Sequence, residues 1–425
     1  MSQLVIKPPP ILSGATITLP LSKSIANRVL VIAYLAGKED IVSFPECNDS
    51  LIMFNLLKQL RLESSSHNQE DGVEVQFFEY NAGDAGTVFR FLTALLSVTP
   101  GKRVLGGSTS LNSRPCGPLI KALSSLGAKI SYLEKEEYPP VLITGSKLQG
   151  GVVDIDSSVS SQFISALMMI APMLPNGLKI KLTGNLVSRP YIHLTAAIMK
   201  DCGVKTEFIG SEIIIPKGVY TIEHDIAEGD WSAASYWYAL VAMCDSKYRD
   251  IQIILKGLNK DSSQGDKILQ DIYKQLGVES TWVNGDLILT NTGKYTDYLT
   301  CNLKDYPDLT PALAVTCAGL QVNASLTGLE TLAIKESNRL LSIQTELKKL
   351  GYNCNIESNH TLMILKGFTQ TISHTINTYN DHRIAMAMSL LSIRTGNLVI
   401  NDPMVVNKSY PSFWGDLQTL GFIIE

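Results

Sequence analysis

Two carboxylates set among cations mark the chemistry this sequence is equipped to do. The stretch DYPDLTPALAV puts Asp308 after Pro307 at the start of an apolar helix, and IKESNR puts Glu336 between Lys335 and Arg339. Each has an ordinary reading: Asp308 as a helix N-cap, Glu336 as the i,i+3 partner of Arg339. Together with the cations they are candidates for proton transfer, with pKa values set by positive neighbours working against burial. The cations recur along the chain. LPLSKSIANR places Lys23 and Arg28 at the opening of a helix, and NAGDAGTVFRFLTALL has Arg90 behind a turn containing Gly83 and Gly86. NSRPCGPL, NDHRIAMAMSLL and NKSYPSFWGDL put Arg114, Arg383 and Lys408 beside helix starts, with Asp381 as a cap for Arg383's helix. A helix N-terminus is partially positive, so each exposed cation there costs about 0.3–1 kcal/mol. A phosphate or carboxylate at these ends satisfies the free N–H groups, the dipole and the cations at once. So many cations call for two anionic small molecules, or one with several acidic groups. SSVSSQFISALMM adds Ser160, Ser161 and Gln162, which also read as an N-cap with a capping-box-like Gln. LVSRPYIHL offers Ser188 and Arg189.

Other chemistries find little support. His67, His193, His224, His360, His374 and His382 are dispersed without ligand spacing, so no metal is expected. There is no G-x-x-x-x-G-K-[ST] loop and no G-x-S-x-G elbow. The net charge of −4 argues against nucleic acid as a partner but not against small anions. Seven scattered cysteines with no CxxC pair predict reduced thiols in a cytoplasm. MSQLVIKPPPIL has no apolar signal core, and FISALMMIAPML is too short for a bilayer and contains Pro172.

The elements that must position these residues repeat. LKQLRLES, LSSLGAKI, MKDCGVKT, YKQLGVES, LKKLGYNC and LQTLGFII each end a helix-like segment and lead into a strand-like run. In five of them a glycine (Gly127, Gly203, Gly277, Gly351, Gly421) follows the last apolar residue, where a left-handed C-cap needs one. The spacing is roughly 66 to 76 residues, and the flanks share a plan of strand, Gly-bearing loop and helix. Six such units in 425 residues predict two α/β domains of three units each, with a crossing near Glu228 and a ligand in the cleft between the domains.

In this order, LPLSKSIANR, DAGTVFRFL, SRPCGPL, SSQF, IKESNR and NDHRIAMA resemble the EPSP synthase (3-phosphoshikimate 1-carboxyvinyltransferase) family over essentially the whole chain. The resemblance implies two domains, each of three βαβαββ units forming an inside-out α/β barrel with helices inside and sheets outside. One spans 21–228; the other joins 1–20 to 229–425. It implies transfer of the enolpyruvyl group of phosphoenolpyruvate to the 5-hydroxyl of shikimate 3-phosphate, with no cofactor, metal, nucleic acid or membrane, by a monomer. By this analogy shikimate 3-phosphate meets Lys23, Ser24, Arg28, Ser160, Ser161, Gln162, Ser188, Asp308, Thr331 and Lys335. Phosphoenolpyruvate meets Lys23, Gly86, Arg114, Gln162, Arg339, Arg383 and Lys408. Asp308 resembles the base for the hydroxyl and Glu336 the acid for C3, with Lys23 beside them, though elimination reverses those demands. Glyphosate sensitivity is implied through Gly86. The chain departs from the family pattern at Leu21 (often Gly), Asp84 (often Asn), Phe91 (sometimes Pro), Thr331 (often Asn) and Arg189 (often Lys). Two rivals are a UDP-N-acetylglucosamine enolpyruvyl transferase and a non-catalytic binder of phosphorylated acids. The first usually has Lys-Asn where this chain has Lys23-Ser24, and Cys116 follows the Arg, out of place for that family's reactive cysteine.

Overall fold

The five glycines that stop the repeated helices are all left-handed, with φ between 83° and 98°. They lie in a computed structural model that describes residues 2–44, 46–66, 77–244, 248 and 251–425; His67 falls outside them. The chain divides into two compact units, Lys23–Ala227 and Met1–Ser22 with Glu228–Glu425.

Both units are α/β and reuse one sheet. In the first, Phe78–Asn81 runs parallel to Gly101–Gly106, which continues antiparallel through Val141–Gly145 to Lys129–Tyr132. Gly151–Asp156, Leu178–Thr183, Glu212–Ile215 and Glu207–Ile209 repeat that order. In the second unit Tyr298–Asn302, Asn323–Thr327, Thr361–Phe368 and Tyr352–Glu357 do the same. The two remaining sheets take strands from the N-terminus. Ala15–Thr18 is the parallel partner of Gln252–Lys256, and Gln3–Lys7 lies between Leu398–Asn401 and Ile423–Ile424. This is why the first residues belong with the C-terminal half.

A parallel pair needs a crossover, and here it is an apolar helix. Gly86–Val98, Ser161–Ile170, Trp231–Met243, Thr310–Leu320 and His382–Ser389 fill that place. Trp231–Met243 and Thr310–Leu320 are buried at every residue. Strands such as Gln252–Lys256 alternate buried and open positions, one face on the core. Gly86, Ser160, Asp308 and Arg383 therefore lie where a strand has ended and a crossover helix begins, the usual place for ligands in α/β folds.

Candidate active site

In the unit Lys23–Ala227, Lys23 is the first residue of the helix Lys23–Ala36. Its Nζ is 2.9 Å from Asp49 Oδ2, a partner the sequence does not suggest. Neighbouring Ser22 Oγ is buried without a hydrogen-bond partner among the described residues. Arg28 is buried one turn further on, Nε donating to Thr195 Oγ1 at 2.7 Å and Nη2 to Ser165 Oγ at 3.2 Å. These acceptors are neutral, and burial brings the Arg28 pKa down to about 10. Ser24 enters through its carbonyl, which accepts from Arg28 Nη1 at 2.6 Å.

The helix Gly86–Val98 has no side-chain cap. Arg90 and Arg114 converge on its first residue: a Cβ built on Gly86 would lie 2.8 Å from Arg90 Nη1 and 3.1 Å from Arg114 Nη1. Arg90 Nη1 donates to Gln162 Oε1 at 2.6 Å, and Gln162 Nε2 donates to Thr87 Oγ1 at 2.9 Å. Burial, then the charge of Arg114, lower the Arg90 pKa to about 10. Arg114 Nε and Nη2 are buried with no partner among the described residues. Two adjacent guanidinium groups over an uncapped helix start are donors of the kind an anion accepts from. Ser160 takes the ordinary role, its Oγ accepting from Gln162 N at 3.3 Å as an N-cap, with Ser161 buried beside it. Ser188 is held left-handed at φ 53° and makes no capping bond, a strained backbone of the kind that gathers at functional sites. Cys116 is buried and its thiol is pushed up to about 12 by burial, which suits packing rather than nucleophilic attack.

In the other unit Asp308 does not cap. It lies in the short turn Pro307–Leu309, and the next helix begins without a side-chain cap. Its carboxylate is held by three cations: Arg339 Nη1 at 3.0 Å, Arg383 Nη2 at 3.2 Å and Lys335 Nζ at 3.4 Å. Charge-assisted bonds to three elements outweigh one backbone N–H, which corrects the capping reading. Arg339 opens the helix Arg339–Lys349 and grips fully buried Asp381 with Nε at 2.8 Å and Nη2 at 3.2 Å. Against burial, which pulls it down, Asp381, Asp308 and Glu336 hold the Arg339 pKa above its ordinary value. Lys335 is lowered by burial, partly offset by Asp308.

Glu336 Oε2 is 3.9 Å from Arg339 Nη2, the pair expected, and 2.8 Å from His382 Nδ1, a contact sequence reasoning missed although NDHR contains it. Glu336, Asp381 and His382 bring ligand-type atoms within 4.8 Å of one another. Arg339 already supplies the positive charge there, so the group reads as an ion network. Asp381 caps His382–Ser389 by accepting from Arg383 N at 3.0 Å. Lys408 corrects the helix-start reading: it ends the 3₁₀ turn Pro403–Lys408, where a cation suits the dipole, and donates to Asn380 O at 2.8 Å. Thr331 is buried, its Oγ1 without a partner among the described residues.

Asp266, from SSQGD, was also missed. It is buried, accepts from Ser232 Oγ, and burial followed by the charge of Asp308 pushes its pKa up to about 7. The folded carboxyl thus keeps a proton that an unfolded one, near 3.8, has lost. Stability should fall as pH rises between those values, by on the order of 4 kcal/mol in total. Urea unfolding at pH 5 and pH 8 checks this: Asp266→Asn should flatten the slope, and an unchanged slope would refute it.

A profile of the family described as EPSP synthase (3-phosphoshikimate 1-carboxyvinyltransferase) matches residues 7–417. The chain belongs to the EPSP synthase family. Among relatives, the 3-phosphoshikimate 1-carboxyvinyltransferase of Bacteroides fragilis (strain YCH46) is 39% identical over 416 residues, covering 97% of this chain and 96% of that one. The protein of the same name from Vibrio atlanticus (strain LGP32) is 34% identical over 436 residues, covering 99% and 100%. The solved EPSP synthase of Acinetobacter baumannii shares the fold at a TM-score of 0.73, with 21% identity and both chains covered in full. Among the described residues no helix is long and apolar enough to cross a membrane.

Proposed function

We propose that this chain transfers the enolpyruvyl group of phosphoenolpyruvate to the 5-hydroxyl of shikimate 3-phosphate, releasing phosphate, in the shikimate pathway. The observation that carries the reading is the family match over residues 7–417, joined by relatives that bear this activity's name. The chemistry is addition then elimination. The hydroxyl oxygen bonds to C2 of phosphoenolpyruvate while C3 takes a proton; the tetrahedral adduct loses a proton from C3 and expels phosphate, leaving the enolpyruvyl ether.

Asp308 accepts the hydroxyl proton and Glu336 delivers one to C3; in the elimination Glu336 takes a proton back from C3 and Asp308 gives its proton to the departing phosphate. Three cations grip the Asp308 carboxylate. A substrate carboxylate taken by Arg339 and Arg383 would compete with Asp308 for two of them. His382 beside Glu336 orients that carboxyl. Arg90 and Arg114 at the Gly86 helix start suit a phosphate. Lys23, Ser24, Arg28, Ser160, Ser161, Gln162, Ser188, Thr331 and Lys335 are assigned to shikimate 3-phosphate. Lys23, Gly86, Arg114, Gln162, Arg339, Arg383 and Lys408 are assigned to phosphoenolpyruvate. The reading divides the chain into two domains, 21–228 and 1–20 with 229–425. In each of them helices pack inside and sheets outside; in the domain of 1–20 with 229–425, wholly buried crossover helices and one-sided strands support that. It works without cofactor, as a monomer in the cytoplasm; no disulfide joins cysteines among the described residues, which suits a reducing compartment.

The test is direct. With both substrates present the protein should release free phosphate and form an enolpyruvyl ether visible by NMR. No release, release from phosphoenolpyruvate alone, or turnover with UDP-N-acetylglucosamine instead would overturn the reading. Gly86→Ala gives a further check. Its methyl must push aside the guanidinium ends, not backbone, so the fold should hold. Affinity for phosphoenolpyruvate, and sensitivity to glyphosate, should fall on the order of tenfold, the worth of one charged hydrogen bond. Equal KM values for variant and wild type would remove Gly86 from the site.

A further inference from the structure

The segment Asn377–Asp381 fixes two of the charged groups above, and it is held from behind by a carboxylate that touches neither. Tyr379 and Asn380 are both left-handed, with φ of 54° and 56°. Such a backbone is strained for a non-glycine residue and persists where the surroundings over-determine it. In front, the Asn380 carbonyl holds Lys408 Nζ at 2.8 Å, and Asp381 holds Arg339 through both oxygens. Behind lies Glu346, fully buried on the helix that Arg339 opens. Glu346 Oε1 accepts from Tyr379 OH at 2.5 Å, and Oε2 accepts from Asn377 N at 3.2 Å and Lys349 Nζ at 2.6 Å. Arg339 and Glu346 are two helical turns apart on one face, so a single helix grips the segment at both ends. A buried carboxylate is costly unless every bond is made, and here the bonds go to the segment whose conformation needs them.

We propose that Glu346 and Tyr379 are a positioning pair for the phosphoenolpyruvate half of the site. They lock the left-handed turn that aims the Asn380 carbonyl at Lys408 and the Asp381 carboxylate at Arg339. The inference rests on the reading that these two cations bind phosphoenolpyruvate. Loosening the turn should blur that binding and leave the groups assigned to shikimate 3-phosphate alone.

Tyr379→Phe in the full chain is the sharp variant, because it deletes one hydroxyl from a partly exposed ring. Steady-state kinetics with each substrate varied, together with thermal unfolding, would read it. KM for phosphoenolpyruvate should rise about five- to tenfold, the loss of one hydrogen bond to a charged group, with kcat and KM for shikimate 3-phosphate within about twofold. Glu346→Gln keeps an acceptor for Tyr379 but sets an amide NH2 against Asn377 N and Lys349 Nζ, so the same KM should rise at least as far as in Tyr379→Phe. Both KM values rising together, or neither rising, in an active protein overturns this inference alone. A wild type that releases no phosphate with both substrates overturns the underlying reading, and this with it.

Discussion

Asp308→Ala should lower kcat by on the order of 10²-fold or more while both substrates still bind, because it removes a proton acceptor and not a cation. The geometry sharpens that expectation. In the native chain the Asp308 carboxylate occupies Lys335, Arg339 and Arg383. Removing it relieves each of them of one acceptor, while Arg339 keeps Asp381, so affinity for phosphoenolpyruvate should be equal to wild type or tighter. Rapid-quench turnover and equilibrium binding measure the two halves separately. Full turnover would cancel the proton-transfer role, and a large loss of binding would recast Asp308 as a ligand contact alone.

Arg339→Met should cost both fold and function. It leaves Asp381, fully buried, without the guanidinium that meets both its oxygens. Breaking such a pair from one side costs about 3–5 kcal/mol, since the remaining charge stays buried. Urea unfolding should report that loss, and phosphoenolpyruvate affinity should collapse with it. Adding Asp381→Asn removes the stranded charge while keeping an oxygen to cap the His382 helix. The double variant should recover much of the stability and none of the activity. A single variant as stable as wild type would mean that the pair contributes little to the fold, and recovered activity would release Arg339 from the site.

What can be read from the sequence is what is encoded locally. The glycine stops at Gly127, Gly203, Gly277, Gly351 and Gly421 announce a repeated unit because a left-handed C-cap is a property of one residue. Asp381 and Ser160 cap helices as their positions suggest. What depends on distant partners stays hidden. Gln3–Lys7 pairs with Leu398–Asn401, which no short pattern near the N-terminus announces. Asp308 resembles a cap because the three cations that claim it come from other stretches of chain. Lys408 resembles a helix-start cation because the 3₁₀ turn it closes carries no periodic pattern. Asp266, His382 and Glu346 do not stand out in the sequence because burial, which gives each its significance, is set by the tertiary packing.

At root the proposed function is electrostatic: it requires that cations such as Lys23, Arg114, Arg339 and Arg383 bind a pair of acidic substrates. A crystal structure of the protein with shikimate 3-phosphate and glyphosate tests this most directly. Lys23 and Arg114 from one unit, and Arg339 and Arg383 from the other, should lie within hydrogen-bond distance of this one ligand pair. Ligands held by one unit alone, with the other unit's arginines turned elsewhere, would contradict it.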